Sequence, residues 1–506
     1  MSEPILTASI VGLDAHRVRV EADISPGLGA FIVVGLPDAA VQEARERVRS
    51  ALKQSVLAFP RTRIAVNLAP ADVKKSGALF DLAIALAILT AQGDLPATLS
   101  APTMVVGELG LDGSLRPIHG VLAIAVLAKK EGIKELIVPA ENAAEAALVQ
   151  GSLCIRGAHT LREVIEHVTG RMPLAQSSSE PYVFTRPLEY AHDFAAIRGQ
   201  THTRRALEIA AAGAHNVIMQ GPPGSGKTLL ARSFPSILPT MSLEEALEVT
   251  RIHSIAGTLH ALHLVTERPF RAPHHSASMV SLIGGGATPK PGEISLAHRG
   301  VFFLDELLEF PRIVLESLRQ PLEDGTVTVS RAQGSLSFPA RVLFLGALNP
   351  CPCGFMTDGE RDCVCTPIQI SKYRKRLSGP LLDRIDLFLE VPKVKTNELT
   401  DQEDAESSHT IRARVERARQ RQTARYHGTT FVANSELGSR EVRALLSMTQ
   451  EAKQLLRLAS EHHRLSARAY FRTIKVAQTI ADLGDADTIE ANFLAEALQY
   501  RQQERA

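Results

Sequence analysis

The sequence predicts an α/β protein with three domains, the last of them entirely helical. Its 506 residues are too many for one hydrophobic core and enough for two to four domains. Strand-like and helix-like apolar runs alternate through most of the chain, which is typical of α/β domains. The polar stretch MPLAQSSSEP near residue 172 and a shift to helical periodicity near residue 392 divide the chain. We therefore predict domains at residues 1–171, 187–392 and 393–506, with a linker at 172–186.

Composition excludes several classes of protein. Apolar residues make up 45% of the chain, charged residues 22%, and 56 basic against 55 acidic side chains give a net charge of +1. This balance is ordinary for a globular protein, so any nucleic-acid site must be a local feature. The start MSEPILTASIVGL lacks the basic region and apolar core of a secretory signal. The longest apolar runs are much shorter than the roughly 20 residues of a membrane helix, so we expect a cytoplasmic protein.

The apolar runs predict a mixed α/β unit for the first domain and a parallel sheet for the middle domain. In the first domain RTRIAVNLA, TMVVGEL and ELIVP resemble strands, whereas DLAIALAILTA and GVLAIAVLAKKEG resemble helices. In the middle domain NVIMQ and GVFFLDE are continuous apolar runs. Such runs are expected when helices cover both faces of a parallel sheet.

The stretch GPPGSGKT has the GxxxxGK[ST] spacing of a phosphate-binding loop, and it lies between a strand-like run and the helix-like run TLLARSF. Its glycines allow backbone N–H groups to converge on phosphate oxygens at a helix N-terminus. Lys227 is expected to reach the β- and γ-phosphates, and Thr228 to ligate Mg²⁺. The predicted ATP-binding residues are Gly221, Pro222, Pro223, Gly224, Ser225, Gly226, Lys227, Thr228 and Asp305.

Two further strands are predicted to end in catalytic side chains. The run VFFLDE places Asp305 where it can hold Mg²⁺ together with Thr228, and Glu306 where it can deprotonate the attacking water. The run RVLFLGALNP ends in Asn349. Its neutral amide is expected to sense the γ-phosphate and to position water.

Four of the five cysteines are clustered in CPCGFMTDGERDCVC, as two CxC pairs. Four thiolates on a short, glycine-containing loop can close a tetrahedral zinc site, and we predict zinc bound by Cys351, Cys353, Cys363 and Cys365. The usual structural spacing is CxxC. An iron–sulfur cluster and free or redox-sensing thiols therefore stay open as alternatives.

The middle and last domains resemble the AAA+ ATPases of the magnesium-chelatase and MCM branch, and specifically the Mg-chelatase-like ComM/YifB family. The resemblance is carried by RPFRAPHHSAS, GGGATPKPGEISLAHRGVFFLDELLEF, NPCPCG, LSGPLLDRIDL and SARAYFRTIKVAQTIADL. It implies an AAA+ P-loop core followed by an all-α lid. It also implies that Arg384 is an arginine finger that reaches a neighbouring subunit, hence a hexameric ring, and that Arg468 is the second sensor, with Arg472 as the competing candidate.

The first domain resembles the Lon protease domain, a fold similar to ribosomal protein S5 domain 2. LRPIHGVLAIAVLAKKEGIKELIVPAEN and SGALFDLAIALAIL carry this resemblance. A Ser-Lys hydrolase needs a serine beside a lysine, but the serine position falls on Leu79 or Phe80 and the lysine position on Leu122 or Ile124. Ser76 and Lys74 lie nearby and are expected to be turn and capping groups, so we predict a scaffold without proteolytic activity.

Three local features are candidates for nucleic-acid contact. The resemblance makes TVTVSRAQGSLSF a pore-facing hairpin and residues 268–298 an insert, with Arg331 and Lys290 as the charges that meet phosphates. Arg414, Arg417, Arg421 and Arg425 form one stripe of a predicted helix, which either pairs with acidic neighbours or contacts nucleic acid. His274 and His275 are expected to be hydrogen-bonding groups of a loop.

Taken with the resemblance, these features predict an ATP- and Mg²⁺-dependent hexameric DNA motor. Its expected partners are single-stranded, forked or three-stranded DNA and possible recombination proteins, in the integration of transforming DNA. The alternative is a protein-remodelling or metal-insertion ATPase similar to the magnesium-chelatase motor subunit.

Overall fold

The computed structural model describes residues 3–55, 57–75, 77–98, 101–149, 151–177, 190–259, 264–286, 289–331, 334–394, 405–462 and 465–501. These residues form two compact units. The first comprises Met1–Arg186, Ala246–Val265 and Ser330–Ser337, and the second comprises Pro187–Glu245, Thr266–Val329 and Phe338–Ala506. The two short segments of the first unit depart from the contiguous domains predicted above. Most of the predicted linker lies outside the described residues, and the boundaries near 172 and 392 stay predictions.

The first unit is built on a mixed eight-stranded sheet. In sheet order its strands are Gln176–Ser177, Cys154–Ala158, Glu135–Pro139, Thr103–Val105, Ile5–Val11, Asp14–Ser25, Arg63–Ala69 and Phe31–Val34. A small hairpin pairs Glu108–Leu109 with Leu115–Arg116. Its helices are Ala39–Gln42, Ala44–Gln54, Ala78–Phe80, Asp81–Gln92, Val121–Lys130, Ala140–Asn142, Ala143–Ala146 and Leu161–Val168.

The helix Asp81–Gln92 lies in the centre of this unit. Nearly all of its residues are buried, which is why its sequence DLAIALAILTAQ has no polar face. It ends at Gly93, whose φ of 85° is the left-handed conformation that glycine adopts most readily. Its one charged residue, Asp81, is fully buried and accepts hydrogen bonds from Arg47 Nε at 2.6 Å and Nη2 at 3.0 Å.

The second unit is built on a five-stranded sheet in which all strands are parallel. Its order is Phe270–Arg271, Val301–Leu304, Leu343–Leu348, Val217–Gln220 and Leu387–Glu390. The predicted runs GVFFLDE, RVLFLGALNP and NVIMQ are therefore its three central strands. Phe270–Arg271 belongs to the sheet itself, so the predicted insert at 268–298 begins in a core strand and not in a loop.

Helices surround this sheet and continue to the C-terminal part of the chain. They are Phe194–Ala196, Thr201–Gly213, Lys227–Ser233, Phe234–Ile237, Met279–Ile283, Glu293–Leu296, Leu307–Glu309, Arg312–Ser317, Arg319–Asp324, Pro367–Arg374, Gly379–Leu382, Ser408–Arg425, Asn434–Glu436, Ser439–Leu445, Gln450–His462, Ala467–Leu483 and Ala491–Gln499. The helix Leu243–Ala256 begins in this unit, and from Ala246 onward its residues belong to the first unit. Two hairpins pair Gly284–Gly285 with Lys290–Pro291 and Thr326–Arg331 with Gly334–Pro339. One apolar core joins sheet residues such as Val217 to helical residues such as Ile480.

The architecture confirms the predicted α/β class with a helical C-terminal region. None of the helices in the described part of the chain combines the length and the apolar character that crossing a membrane requires. The hairpin at Thr326–Arg331 and Gly334–Pro339 occupies the predicted place, and its turn at residues 332 and 333 lies outside the described residues.

Candidate active site

The candidate site lies where three parallel strands end. Gly221, Asp305 and Asn349 each directly follow a strand, and these strands are neighbours in the sheet. The carboxyl ends of parallel strands meet at one edge, which is where ligands bind in open α/β sheets. The N–H of Gly221 donates to the carbonyl of Leu348 at 3.2 Å, and this bond ties the phosphate-binding loop to the Asn349 strand.

Backbone geometry explains the glycines of the loop. Gly224 and Gly226 have φ angles of +79° and +87°, which side chains rarely permit. Gly221 is required for a different reason, because a Cβ there would lie 2.2 Å from the carbonyl oxygen of Val391. The helix Lys227–Ser233 then begins directly after Gly226.

Lys227 is turned into the loop. Its Nζ donates to the carbonyls of Gly221 at 2.7 Å and Pro222 at 2.8 Å, and to Ser225 Oγ at 3.3 Å. Burial lowers the pKa of Lys227, while the charge of Asp305 acts in the opposite direction. The ammonium group thus lies inside the loop, where it can pair with phosphate oxygens.

Thr228 and Asp305 are in direct contact. The Thr228 hydroxyl donates to Asp305 Oδ2 at 2.7 Å, so a hydroxyl and a carboxylate offer adjacent oxygen ligands. Such hard oxygen donors suit Mg²⁺, which in nucleotide sites is held by few protein ligands together with phosphates. The donor set therefore fits the ion that the motif implies.

Glu306 and His275 lie side by side at this edge. Glu306 has a φ of +49°, which is uncommon for a residue with a side chain. Its Oε2 lies 3.6 Å from His275 Nδ1, and both side chains are partly exposed. The ring of His275 also contacts the ring of His274 at a centroid distance of 4.0 Å and a tilt of 36°, and His274 Nδ1 contacts Ser276 Oγ at 2.8 Å. Sequence reasoning treated both histidines as loop groups and so missed the neighbour of the predicted base.

Gln200 is a second residue that sequence reasoning missed. Its Nε2 donates to the carbonyl of Ser225 at 2.6 Å and to that of Pro392 at 3.3 Å, joining the phosphate-binding loop to the chain after the last strand. Its buried Oε1 has no hydrogen-bond partner among the described residues. It is therefore an acceptor available beside the loop. The only sequence signal is its position in IRGQ, just before the helix Thr201–Gly213.

Arg384 and Arg468 are brought together at one carboxylate. Both donate to Glu323: Arg384 through Nη2, and Arg468 through Nη2 at 2.8 Å. Arg384 is only 6% exposed and also donates to the carbonyl of Pro380 at 2.6 Å. Burial lowers its pKa, as do the charges of Arg468, Arg319 and Arg472. Glu323 was not among the predicted site residues.

These arginines line an open cavity of about 540 Å³. Among the described residues around it, eight are arginine or lysine and five are aspartate or glutamate, and none belongs to residues 221–228. The excess of basic side chains favours an anion at this place. The same chain therefore carries a phosphate-binding loop and, separately, a basic cavity with its two arginine candidates.

The competing candidate Arg472 contacts the segment that directly follows Arg384. Its Nη1 donates to the carbonyl of Ile385 at 3.2 Å, and its Nε lies 3.5 Å from Asp386 Oδ1. Asp386 is buried and also accepts from the N–H of Asn216 at 3.1 Å. Arg472 thus lines the same cavity as Arg468, but it also holds the segment that carries Arg384.

The four predicted zinc ligands lie together. The sulfur of Cys351 is 3.4 Å from that of Cys353 and 3.6 Å from that of Cys363, and all four sulfurs lie within 4.8 Å of one another. They form no disulfide. In a tetrahedral zinc site with bonds of about 2.3 Å, neighbouring sulfurs are about 3.8 Å apart. The cluster therefore has the size that one metal ion requires.

The candidates for nucleic-acid contact divide into two groups. Lys290 is exposed in its short hairpin, and the side chain of Arg331 lies outside the described part of the structure. In the arginine stripe, by contrast, Arg414 pairs with Glu208 at 2.5 Å, Arg425 pairs with Asp482 at 2.5 Å and Arg421 pairs with Asp487. These contacts favour ion pairing as the role of the stripe.

In the first unit, the positions aligned with the protease residues are apolar, and all but the partly buried Leu79 are buried. Phe80, Leu122 and Ile124 are at most 1% exposed, and none offers a nucleophile or a base. The carbonyl of Lys74 accepts from Ser9 Oγ at 2.8 Å, and Ser76 lies outside the described residues.

Comparisons with known proteins agree with this architecture. Three family models match: "Subunit ChlI of Mg-chelatase" at residues 20–142, "Magnesium chelatase, subunit ChlI" at 193–399, and "Magnesium chelatase, subunit ChlI C-terminal" at 405–501. The chain is 43% identical to the competence protein ComM of Haemophilus influenzae over 500 residues, which are 98% of this chain and 97% of that protein. It is 42% identical to YifB of Escherichia coli over 496 residues, which are 98% of this chain and 96% of YifB.

A more distant similarity is to a Lon protease. The chain is 27% identical over 167 residues to the Lon protease of Rhizobium meliloti, which covers 31% of this chain and 20% of that protein. ComM and YifB each match nearly the whole chain, and the parallel sheet carries the phosphate-binding loop. The chain belongs to the Mg-chelatase-like AAA+ ATPases of the ComM/YifB family.

Proposed function

We propose that this protein is an ATP-driven hexameric motor that acts on DNA as a helicase or branch-migration enzyme. The observation that carries the proposal is the separation of two half-sites in one chain. Lys227, Thr228, Asp305 and Glu306 lie at the loop end of the sheet. Arg384 and Arg468 share Glu323 in a cavity that residues 221–228 do not line.

In the proposed hydrolysis, each group of the first half-site has one task. Lys227 neutralises charge on the β- and γ-phosphates, and Mg²⁺, held by Thr228 and Asp305, would shield phosphate charge. Glu306 accepts the proton of the attacking water at its exposed carboxylate, and Asn349 orients that water. His275, 3.6 Å from Glu306, provides a partner that can hold the carboxylate in place.

The second half-site is proposed to act on a neighbouring subunit. An arginine placed against the γ-phosphate stabilises the negative charge that develops during phosphoryl transfer. Since Arg384 and Arg468 lie together on Glu323, we propose that both act across the same subunit interface. A ring is the closed arrangement in which every such head-to-tail interface is used.

DNA is proposed as the polymer because of the relatives. One relative is named a competence protein, and we propose a corresponding role here in integrating transforming DNA by recombination in the cytoplasm. Exposed Lys290, and Arg331 at the hairpin, are the proposed contacts with DNA phosphates. We also propose zinc as the ion held by the four clustered cysteines.

The test is a subunit-mixing experiment with unwinding of a forked duplex as a second readout. Glu306→Gln should bind ATP but lose about 10²–10⁴-fold in hydrolysis, and Arg384→Ala should lose about 10³-fold. Mixing the two inactive variants should restore DNA-stimulated ATPase activity, because each supplies the half-site that the other lacks. Arg457→Ala is the matched control, since this exposed arginine lies outside both half-sites and outside the candidate nucleic-acid contacts.

Two outcomes would count against the motor. If Arg384→Ala keeps wild-type ATPase activity, or if mixing restores nothing, the shared site is wrong. If ATPase activity is normal and shared but indifferent to single-stranded and forked DNA, the rival function, a protein-remodelling or metal-insertion ATPase similar to magnesium chelatase, is favoured.

A further inference from the structure

The thiolate loop at residues 351–365 lies against the phosphate-binding loop. Gly354 has a φ of +84°, and a Cβ at this position would lie 2.6 Å from Cδ and 2.8 Å from Cγ of Pro223. The same position is 3.9 Å from Cγ of Asn349. The two loops are thus in contact with no space for a methyl group between them, and the predicted water-positioning residue lies beside that contact.

The cysteines hold this contact in place. The N–H of Gly354 donates to the carbonyl of Cys351 at 3.0 Å, and Cys351 is fully buried. The N–H of Cys353 donates to Cys365 Sγ at 3.4 Å, so the tight turn that presents Gly354 also presents the sulfurs. The sulfurs of Cys353 and Cys363 are 3.6 Å apart, which connects the turn to the far end of the loop.

Both ends of the thiolate loop are fixed to the sheet unit. Cys351 follows the strand Leu343–Leu348 by three residues, and Cys365 directly precedes Thr366, which caps the helix Pro367–Arg374 with a reciprocal pair of hydrogen bonds. Glu360 in the middle of the loop pairs with Lys393. The adjacent Pro392 accepts from Gln200, which also holds Ser225 of the phosphate-binding loop.

These contacts give the cluster a role beyond local folding. We propose that Cys351, Cys353, Cys363 and Cys365 bind one zinc ion, and that this ion sets the affinity for ATP by holding Gly354 against Pro223 of the phosphate-binding loop. Four thiolates this close repel one another unless a cation lies between them. Metal binding therefore orders the thiolate loop. Loss of the metal frees this loop to move, and the phosphate-binding loop then loses the surface against which it packs. The inference rests on the proposed ATP site.

The first test separates zinc from nucleotide affinity in the full-length protein. Zinc content is measured by atomic emission, and affinity by equilibrium binding of a fluorescent ATP analogue without DNA. Wild type should hold about one zinc per chain, and Cys363→Ser less than about a third of that. Its dissociation constant for ATP should rise about tenfold, as expected if about a tenth of the chains keep the competent loop. Cys154→Ser, which changes the cysteine outside the cluster, is the matched control.

The second test leaves every thiolate in place. Gly354→Ala keeps all four zinc ligands but should weaken ATP binding, because its methyl group meets Pro223 and because alanine is strained at a φ of +84°. Gly359→Ala, in the same loop but with no atom within 4 Å of the added carbon, should change neither quantity. Chelation of zinc from wild type, with Mg²⁺ kept in excess, should weaken ATP binding reversibly, and this measurement applies even if Cys363→Ser fails to fold.

The outcomes distinguish this inference from the proposed motor. Full zinc content in Cys363→Ser would overturn the metal site, and loss of zinc with ATP affinity unchanged within about twofold would overturn the coupling. Neither readout involves DNA or hydrolysis. A protein that shows zinc-dependent ATP binding but no DNA-stimulated ATPase would therefore sustain the zinc site and refute the motor.

Discussion

Gly221→Ala is expected to disrupt the candidate ATP site through a steric conflict. The added Cβ would lie 2.2 Å from the carbonyl oxygen of Val391 and 2.9 Å from Ser225 Oγ. Carbon–oxygen contacts are normally at least roughly 3.3 Å, so the overlap with Val391 is about 1 Å. The obstacle is backbone, held by the hydrogen bond from Val391 N–H to the Gln220 carbonyl at 2.8 Å. The loop and the end of the strand must therefore move apart.

The expected magnitude follows from the cost of inserting a methyl group into packed structure. Overpacking of this kind typically costs about 1–3 kcal/mol, which corresponds to a rise of about 5- to 150-fold in the dissociation constant for ATP if the bound loop bears the strain. If the folded protein bears it in both states, the melting temperature falls instead. Fluorescent-nucleotide binding and thermal melting, measured together, detect both cases.

Gly379→Ala is the matched control, because no atom lies within 4 Å of its added Cβ and its φ is not positive. It should change stability by less than about 0.5 kcal/mol and leave ATP binding unchanged. The reasoning would be refuted if Gly221→Ala binds ATP within about twofold of wild type and melts at the same temperature.

Three further predictions concern side-chain contacts. Thr228→Ala should lower ATPase activity about 10- to 150-fold through loss of the hydrogen bond to the carboxylate of Asp305. Thr228→Ser, which keeps a hydroxyl, should restore the activity. Wild-type activity in the alanine variant would refute the role of the hydroxyl. Glu323→Gln should destabilise the protein in urea less than Asp386→Asn does, because the Glu323 side chain is 43% exposed, which weakens its pairs with Arg384 and Arg468. Asp386→Asn should cost about 3–5 kcal/mol because Asp386 is buried. Equal shifts in the two variants would contradict this ranking. Burial raises the pKa of Asp386, but His215 and Arg472 lower it more, to well below its usual range. The contribution of Asp386 to stability is therefore present above about pH 4 and is lost as pH falls further. When pH is lowered from 7 to 3, the melting temperature should fall less in Asp386→Asn than in wild type.

Much of the fold was predictable because long apolar runs report burial directly. The strands Val217–Gln220, Val301–Leu304 and Leu343–Leu348 lie inside the three predicted runs, and the helix Asp81–Gln92 extends the predicted run DLAIALAILTA by one residue. The two-residue strand Phe270–Arg271 was missed. A strand this short has no periodicity to detect, and it exists because its partner Val301–Leu304 offers an open edge.

The candidate site was predictable to the extent that local spacing determines it. Thr228 lies within the loop motif and Asp305 directly follows a central strand, so parallel pairing was sufficient to bring them together. Glu323 and His275 carried no such signal. Their positions opposite Arg384 and Glu306 depend on how distant segments pack, and a single glutamate or histidine in a sequence is compatible with many roles.

The sequence by itself determined the class of the protein, the phosphate-binding loop and the four-cysteine cluster, because each depends on spacing along a continuous stretch of chain. Only the tertiary structure decided that Arg384 and Arg468 share one carboxylate, that the arginine stripe is largely ion-paired, and that Gly354 touches Pro223. These are contacts between residues far apart in sequence. They arise from the packing of several elements at once, which no local pattern of residues encodes.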